Sequence, residues 1–577
     1  MSDIQVDTLE TDVAIVGSGG AGLMCLLHLA RHDPQLDVVV VSKGAVGRSG
    51  CTRMVQGGYN AVLDPLDSLD LHFNDTLIAG GYLNDQELAW ALVEDAPSVI
   101  RELEQEYGCL FDRASGGRLH QKAFAGQSFD RTVHRADLTG IEIMSRLRDQ
   151  TLRVAPRELE DVRALDLVFD ADGELAGLTV LDIASGRFAV IVAKVVVIAT
   201  GGSATMYRIA APAREKTGDG IAMCLRAGLE LRDMEMLQFH PTGLLAGDST
   251  LTGAVLEEGL RGAGAHLLNG LGERFMERYD PVRLERSTRD VVARSSYLEI
   301  VAGRGTPVGG VLLDISHLGV EEVERRFGGM VARTRLFGRD LAREPIDVSP
   351  TAHFQMGGVI IDRDCRTSVD GLLVAGEDAG GTHGANRLGG NGVAESTVFG
   401  ARAGDTTVAV AAARRRRTPD AQQVQESIAR ALAPLRRSDQ PGRAIVAPDS
   451  IYRELKDVMW NGCGLVRSRA GLEEAESTID AMLERTQSIG TPGGAEWNVG
   501  WQQALDLVNQ LQVARTMVTS ALVREESRGA HFRDDFPERR DDEWLRYVVA
   551  RLDGGELLTD TRPVSFSRSQ PPEALAA

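Results

Sequence analysis

The chain has 577 residues, of which 43% are hydrophobic and 25% charged, which is the composition of an ordinary globular protein. Its length suits about three or four domains. Its net charge of -20 argues against nucleic-acid binding, because affinity for a phosphate backbone comes from clustered Lys and Arg. The six cysteines are scattered without a C-x-x-C pair, so the sequence predicts no metal site and favours a cytoplasmic location. No run approaches the roughly 20 apolar residues that span a bilayer, so any membrane contact is expected through a partner.

The amino-terminal part predicts a βαβ unit. An apolar strand at 13–16 leads into the glycine-rich segment 17–22 (GSGGAG), and a helix to about residue 31 and a second apolar strand at 38–41 follow. A G-x-G-x-x-G segment in this position lets a pyrophosphate approach the helix amino terminus, where free N–H groups favour negative charge. The second strand ends in Ser42-Lys43, without the acidic residue that usually holds an NAD ribose, which weakens NAD and favours FAD.

Two later segments predict further strands of the same sheet. Residues 195–202 form a continuous apolar run that ends on glycines, as expected for a strand buried on both faces, and residues 371–376 repeat the pattern. Asp219 and Glu377 each lie beside glycines, where a carboxylate is suited to hold hydroxyls of a ribose or ribityl chain. A long cofactor that passes through one domain is therefore expected.

Changes in composition and periodicity along the sequence predict the domain boundaries. We expect an α/β fold in which residues 1–234 and 351–418 form a Rossmann-like FAD-binding domain. Residues 235–350, rich in loops with Arg and His, are expected to form an inserted α+β capping domain. Helical periodicity predicts a helical domain at 419–535, and residues 536–577 are expected to form a small C-terminal region.

A series of short motifs points to one family. They are 56–58 (QGG), 238–243 (QFHPTG), 258–262 (EGLRG), 272–276 (GERFM), 289–294 (RDVVAR), 353–358 (HFQMGG), 383–390 (HGANRLGG) and 526–531 (ESRGAH). In this order they resemble the flavoprotein subunit of succinate dehydrogenase and fumarate reductase. That subunit belongs to a larger group of FAD-dependent oxidoreductases that includes L-aspartate oxidase. The resemblance extends from about residue 11 to about residue 545.

Four side chains in these motifs suit a dicarboxylate. A doubly negative ligand requires cationic and hydrogen-bonding groups, and Arg is preferred for bidentate contact with a carboxylate. His240, His353, Arg289 and Arg387 meet that description. The resemblance implies that His240, His353 and Arg387 bind fumarate, that the flavin N5 delivers a hydride to one alkene carbon, and that Arg289 protonates the other. Phe124 lies in a segment that also resembles these enzymes and is predicted to contact the substrate.

An arginine acid requires a relay, because a guanidinium ordinarily keeps its proton in a protein. Glu258 and Arg261 are three positions apart and would share one face of a helix. The resemblance implies that these two residues pass a proton to Arg289. The predicted catalytic residues are therefore Arg289, Glu258 and Arg261.

The flavin attachment departs from the family. Most members have a histidine that bonds covalently to the flavin, and here Cys51 or Gly50 stands at that position, in the segment 48–52 (RSGCT). Non-covalent FAD is expected, with a cysteinyl-flavin thioether as the alternative, and loss of the covalent link should favour fumarate reduction. The predicted cofactor-binding residues are Gly17, Gly19, Gly20, Gly22, Ser42, Lys43, Ser49, Cys51, Thr52, Gln56, Gly57, Gly58, Thr200, Gly201, Asp219, Glu377 and Asn391.

A second departure concerns the substrate. The family's Thr-Glu-Gly, whose Thr touches a substrate carboxylate, is here Glu257-Glu258-Gly259. An ionised, desolvated Glu257 would repel a dicarboxylate, so either this side chain points away or the substrate differs. The family's Asn-Ser near the flavin is Asn391-Gly392, which removes one hydroxyl contact.

The resemblance implies that the chain exchanges electrons with an iron–sulfur protein and attaches through it to a membrane anchor. In that case the location is the cytoplasmic face of a membrane. L-aspartate oxidase, or a related enzyme acting on another dicarboxylate, is the alternative. A binding subunit without redox chemistry is disfavoured, because all four candidate substrate and acid residues are present.

Overall fold

A computed structural model of the protein describes residues 6–438 and 444–572. The strands are β1 (Val6–Glu10), β2 (Val13–Val16), β3 (Val38–Val41), β4 (Tyr59–Asn60), β5 (Gln121–Lys122), β6 (Thr132–Val133), β7 (Arg157–Leu159), β8 (Val162–Phe169), β9 (Leu175–Asp182), β10 (Phe188–Val192), β11 (Val195–Ile198), β12 (Leu231–Arg232), β13 (Leu237–Leu244), β14 (His266–Leu268), β15 (Val311–Asp314), β16 (Ile346–Gln355), β17 (Gly358–Ile360), β18 (Leu372–Val374), β19 (Ala379–Gly380), β20 (Arg546–Asp553) and β21 (Glu556–Pro563). The helices are α1 (Gly20–His32), α2 (Leu69–Ala79), α3 (Gln86–Gln105), α4 (Thr139–Val154), α5 (Asp219–Arg226), α6 (Glu258–Gly262), α7 (Met276–Tyr279), α8 (Arg289–Glu299), α9 (Val320–Arg335), α10 (Asn391–Ala413), α11 (Ala421–Ser438), α12 (Pro448–Gly462), α13 (Arg469–Arg485), α14 (Val499–Val523) and α15 (Asp541–Trp544).

A parallel sheet of five strands, in the order β18-β11-β2-β3-β7, forms the centre of the molecule. Every residue of β2, β3, β11 and β18 is buried, which explains their continuous apolar sequences, because both faces of the sheet are covered. The predicted βαβ unit and the two later strands are therefore confirmed. The carboxyl ends of β2, β11 and β18 lie at one edge, where ligands of open α/β sheets bind.

Helix α1 packs closely against α10, and glycines make this possible. A Cβ atom at Gly400 would lie 2.5 Å from the carbonyl oxygen of Ala21, and one at Gly404 would lie 2.5 Å from that of Cys25. A Cβ at Gly20 would lie 2.8 Å from Ser396 Oγ. The amino-terminal ends of the two helices therefore meet at the ligand edge of the sheet.

Residues 244–348 have a hydrophobic core of their own beside a four-stranded antiparallel sheet, β13-β16-β15-β14. Core residues from this segment include Leu244, Leu256, Leu267, Val311, Leu313, Val323, Ile346 and Val348. Strands β13 and β16 form the two borders of the inserted segment and pair with each other, with register shifts after Gln238 and after His240. These two strands carry candidate substrate-binding residues.

The C-terminal strands belong to a sheet of mixed origin, β19-β17-β12-β20-β21. In this sheet β20 pairs with β12, so the predicted C-terminal region shares its hydrogen bonds with a strand more than 300 residues earlier in the sequence. Four long helices, α11 to α14, precede it, as the helical periodicity predicts. Across the described ranges, no helix is long and apolar enough to cross a membrane.

Candidate active site

One cavity of about 590 Å³ extends from the carboxyl ends of β2 and β11 to the inserted segment. Most of the predicted site residues line this first cavity. They are Gly17, Gly19, Gly20, Ser42, Lys43, Ser49, Cys51, Thr52, Gln56, Gly57, Gly58, Phe124, Thr200, Gly201, Asp219, His240, Glu257, Glu258, Arg289, His353, Glu377 and Arg387. Three predicted residues, Gly22, Arg261 and Asn391, lie outside its wall.

Glycines shape the nucleotide end of the cavity. Gly17 has a φ of 107°, and a Cβ there would lie 2.1 Å from the carbonyl oxygen of Ala199. A Cβ at Gly22 would lie 2.0 Å from the carbonyl oxygen of Gly17, so Gly22 lets α1 approach the turn instead of lining the cavity. The Gly20 amide, at the first position of α1, donates to Thr52 Oγ1 over 3.1 Å. This glycine cradle at a helix amino terminus fits the pyrophosphate of FAD.

Asp219 lies between two cationic side chains. Lys43 Nζ is 2.7 Å from Asp219 Oδ2, Arg163 is 3.7 Å from Oδ1, and Asn509 donates to Oδ1 over 2.8 Å. Burial opposes ionisation, but the two cations hold the pKa of Asp219 well below its usual range. Asp219 is therefore an ionised hydrogen-bond acceptor, as a contact to ribose or ribityl hydroxyls requires.

Glu377 pairs with a lysine that is not among the predicted residues. Both carboxylate oxygens of Glu377 contact Lys216 Nζ, and Oε1 accepts from the Gln355 amide over 2.8 Å. Burial raises the pKa of Glu377 even though Lys216 opposes the rise. Lys216 lines the cavity beside the glycine-flanked segment that holds Asp219, and this proximity in sequence is the signal that could have identified it.

Cys51 lines the cavity in an environment that suppresses thiol reactivity. Its Sγ accepts a hydrogen bond from the Ala213 amide over 3.4 Å. Burial raises the pKa of the Cys51 thiol, in spite of the nearby Lys216. Because the thiolate is the nucleophile, this environment disfavours attack on another group.

The three predicted catalytic residues lie together. Arg289 donates to Glu258 Oε2 through Nε over 2.8 Å and through Nη2 over 2.5 Å, and Arg261 Nη2 is 3.3 Å from Glu258 Oε1. Although burial opposes ionisation, Arg289 and Arg261 hold the pKa of Glu258 below its usual range. Glu258 is therefore an ionised carboxylate between two guanidinium groups. Arg261 is only 1% exposed and reaches the cavity only through Glu258.

Gln238 joins the two arginines of the cavity. Its Oε1 accepts from Arg289 Nη1 and from Arg387 Nη2, each over 3.1 Å. Its Nε2 donates to the Arg387 carbonyl and to Asn386 Oδ1, each over 2.8 Å. Gln238 opens the QFHPTG motif but is not among the predicted site residues, because the sequence does not show which of its neighbours it meets.

Two neutral histidines line the cavity near these arginines. His240 on β13 and His353 on β16 have ring centroids 5.5 Å apart. Burial and the charge of Arg289 lower the pKa of His240, and burial and the charge of Arg387 lower that of His353. Both imidazoles are uncharged at neutral pH, so the positive charge comes from Arg289 and Arg387, whose guanidinium lies 4.4 Å from the Phe354 ring centroid.

Glu257 lines the cavity and does not point away. Its Oε1 contacts Lys122 Nζ, and burial raises the pKa of Glu257 while Lys122 opposes the rise. Lys122 Nζ also lies 5.5 Å from the ring centroid of Phe124. Lys122 is thus the counter-charge for the acid that replaces the family's Thr. The sequence does not reveal the pair, because its members are 135 positions apart.

The structure places Asn391 differently from the prediction. Asn391 Oδ1 accepts from Asn60 Nδ2 over 2.7 Å and lies 3.0 Å from His72 Nε2, and its Nδ2 donates to Thr76 Oγ1 over 3.1 Å. Asn391 is fully buried at the first position of α10. It connects α10 to α2, and it is the neighbouring Gly390 and Gly392 that line the cavity.

Family models and curated relatives match the chain over most of its length. The FAD binding domain model matches residues 12–393, and the fumarate reductase flavoprotein C-term model matches residues 452–575. One subunit of the CoM/CoB fumarate reductase of Methanothermobacter marburgensis is 41% identical over 95% of this chain and 98% of that protein. The succinate dehydrogenase flavoprotein subunit of Coxiella burnetii is 35% identical over 96% of each chain.

Solved structures show the same architecture. A mutant of the Escherichia coli quinol fumarate reductase protein FrdA matches with a TM-score of 0.92 and 31% identity, over 98% of this chain and 99% of that one. Mycobacterium smegmatis Sdh1 in complex with UQ1 matches with a TM-score of 0.87 and 34% identity, over 98% and 96%. The glycine cradle, the cationic pocket and these matches agree: the chain is an FAD-dependent oxidoreductase that belongs to the family of fumarate reductase and succinate dehydrogenase flavoprotein subunits.

Proposed function

We propose that this protein interconverts fumarate and succinate and is biased toward fumarate reduction. The observation that carries the proposal is the arrangement of Arg289, Glu258, Gln238 and Arg387, which faces the same cavity as the glycine cradle. Two guanidinium groups joined through one amide offer the charged hydrogen-bond donors that carboxylates prefer. The Methanothermobacter marburgensis and Escherichia coli relatives, both named fumarate reductases, support this direction.

Different side chains would bind the carboxylates and transfer the proton. Arg387 and the neutral donors His240 and His353 would hold the two carboxylates and polarise the alkene between them, which stabilises the developing negative charge. Bound FAD would supply the hydride at its N5 atom. Arg289 would protonate the other alkene carbon. The ionised Glu258, which two nitrogens of Arg289 contact, would then take up a proton through Arg261 and pass it to Arg289, so that the guanidinium is restored. A hydride and a proton convert fumarate into succinate.

Each domain predicted from the sequence would have its own role in this function. Residues 1–234 and 351–418 would bind FAD, and residues 235–350 would cover the substrate and exclude water. We call residues 235–350 the cap. The FAD-binding segments, the helical segment 419–535 and the C-terminal region 536–577 together form the body. Within this division His240 and Glu258 lie in the cap, and Arg387 lies in the body.

We further propose that electrons reach the flavin from an iron–sulfur subunit. The relatives are themselves named as subunits of larger enzymes, which supports a partner of this kind. Attachment to the cytoplasmic face of a membrane would then come through the partner and its anchor. The dicarboxylate is the small-molecule partner.

Anaerobic turnover with a reduced dye tests the proposed function. The purified, flavin-loaded protein is expected to oxidise the dye when fumarate is added, because the dye replaces the electron-donating partner. Aspartate with oxygen is assayed in parallel. Production of iminosuccinate from aspartate, with no oxidation of the dye by fumarate, would contradict the proposal and support an L-aspartate oxidase.

Acid precipitation tests the mode of flavin attachment. We expect the flavin to remain in the supernatant, because the Cys51 thiol is protonated and no histidine stands at the linking position. Absorbance of pellet and supernatant gives the measurement, with Cys51→Ser as the control. A yellow pellet for the wild type and a colourless one for Cys51→Ser would instead establish a cysteinyl flavin.

A further inference from the structure

A second cavity of about 690 Å³ lies beside the first, between the cap and the body. Its lining from the segment 235–350 includes Val282, Arg283, Arg286, Thr288, Arg289 and Asp290. Residues 386–389 and 527–529 also line it. Four side chains, Phe124, Glu258, Arg289 and Arg387, line both cavities. The second cavity therefore adjoins the proposed substrate-binding groups, and no residue of the glycine segment 17–22 lines it.

Two arginines at this cavity form no close ion pair within the described residues, although Asp280 interacts electrostatically with Arg283. The side chains of Arg283 and Arg286 are exposed, and they form no hydrogen bond or ion pair with any residue in 6–438 or 444–572. Between them, the buried Glu285 binds Arg274 and the Leu267 amide, which fixes the turn in place. The backbone that carries the two arginines is thus fixed beside the cavity.

Six arginines and three acids line the second cavity. Among the acids, Asp75 binds Arg131 and the Ser128 amide, whereas Asp290 accepts from the neutral Asn386 amide over 3.1 Å and keeps its charge. Arg528 and Arg539 both bind Asp541, at 2.7 Å each. The charge left uncompensated at this mouth is therefore positive.

A positively charged cavity entrance would affect how an anionic ligand approaches a chain with a net charge of -20. The overall field of such a protein repels a dianion, whereas a cleft lined by one sign of charge concentrates the oppositely charged ligand. The effect is long-range and is screened by salt.

We propose that the second cavity is the antechamber through which a dicarboxylate dianion reaches the active site, and that Arg283 and Arg286 attract it there. The inference rests on the proposed function. A competing entrance lies where Asp137 and Arg333 line the first cavity. There the charge of Asp137 acts directly on Arg333, so one acid offsets one cation and no excess of positive charge remains.

Steady-state kinetics of the holoenzyme test the proposal. In the double variant Arg283→Gln/Arg286→Gln, kcat/KM for fumarate should fall about 3- to 10-fold at low ionic strength, with kcat unchanged. The difference should disappear at about 0.5 M salt. The matched control is Arg366→Gln/Arg415→Gln, which removes two exposed arginines outside both cavities and changes the net charge equally.

The outcomes separate this inference from the proposed function. If the wild type does not reduce fumarate, the proposed function fails. If the wild type is active but the double variant matches the control at every salt concentration, the antechamber is refuted. A salt-dependent loss in Arg333→Gln instead would assign entry to the other mouth.

Discussion

Replacing Arg289 with lysine should lower kcat for fumarate reduction about 10²- to 10⁴-fold while FAD stays bound. Lysine keeps the positive charge but has one nitrogen, so it loses either the paired contact with Glu258 or the contact with Gln238. The proton donor would then be displaced from the alkene carbon. Anaerobic dye oxidation gives kcat and KM, and flavin absorbance checks that the cofactor is retained.

Arg294→Lys is the matched control for this variant. Arg294 lies on the same helix, α8, and its guanidinium packs over the Phe532 ring at 4.6 Å, outside the first cavity. Its replacement should leave kcat within about twofold, because lysine keeps the charge and the side chain lines neither the first nor the second cavity. If Arg289→Lys behaved like Arg294→Lys, Arg289 would not be the proton donor.

Replacing Lys122 with methionine should raise the KM for fumarate about 30-fold or more at about pH 8, with a smaller change in kcat. The variant leaves Glu257 in the cavity wall without its counter-charge, where an ionised carboxylate repels a dianion. Burial already raises the pKa of Glu257, and Lys122 opposes that rise. Without Lys122 the pKa rises further, so Glu257 becomes neutral as the pH falls and the defect should shrink toward about pH 6.

A second substitution distinguishes electrostatic repulsion from misfolding. The double variant Lys122→Met/Glu257→Gln removes both charges and should restore KM to within about threefold of the wild type. Lys194→Met, at an ion pair with Asp12 outside the first cavity, is the control and should leave KM unchanged. A double variant as impaired as Lys122→Met would show that Lys122 acts through structure and not through its charge.

The central fold was predictable because its signals are local. Strands β2, β3 and β11 are continuous apolar runs, and the glycine-rich turn lies directly between β2 and α1. Burial on both sheet faces leaves this pattern in the sequence itself. The α6 pair, Glu258 and Arg261, was predictable for the same reason, since three positions on a helix share a face.

The contacts that complete the site were not predictable, because they join distant segments. Lys122 meets Glu257 across 135 positions, and Gln238 meets Arg387 across 149. The sequence around each residue does not indicate which distant side chain it contacts. Asn391 was predicted to lie near the flavin, and its neighbours do line the cavity. Its own side chain, however, contacts α2 instead of the cavity.

The pairing of β20 with β12 also affects when this sheet can form during synthesis of the chain. One sheet takes its strands from residues 231–232, 358–360, 379–380 and 546–563, so it lacks two members until almost the whole chain has left the ribosome. Contacts so distant in sequence form slowly, because the intervening loops must first be closed. We expect this sheet to be completed late in folding, with one edge of β12 unpaired until residues 546–553 join it.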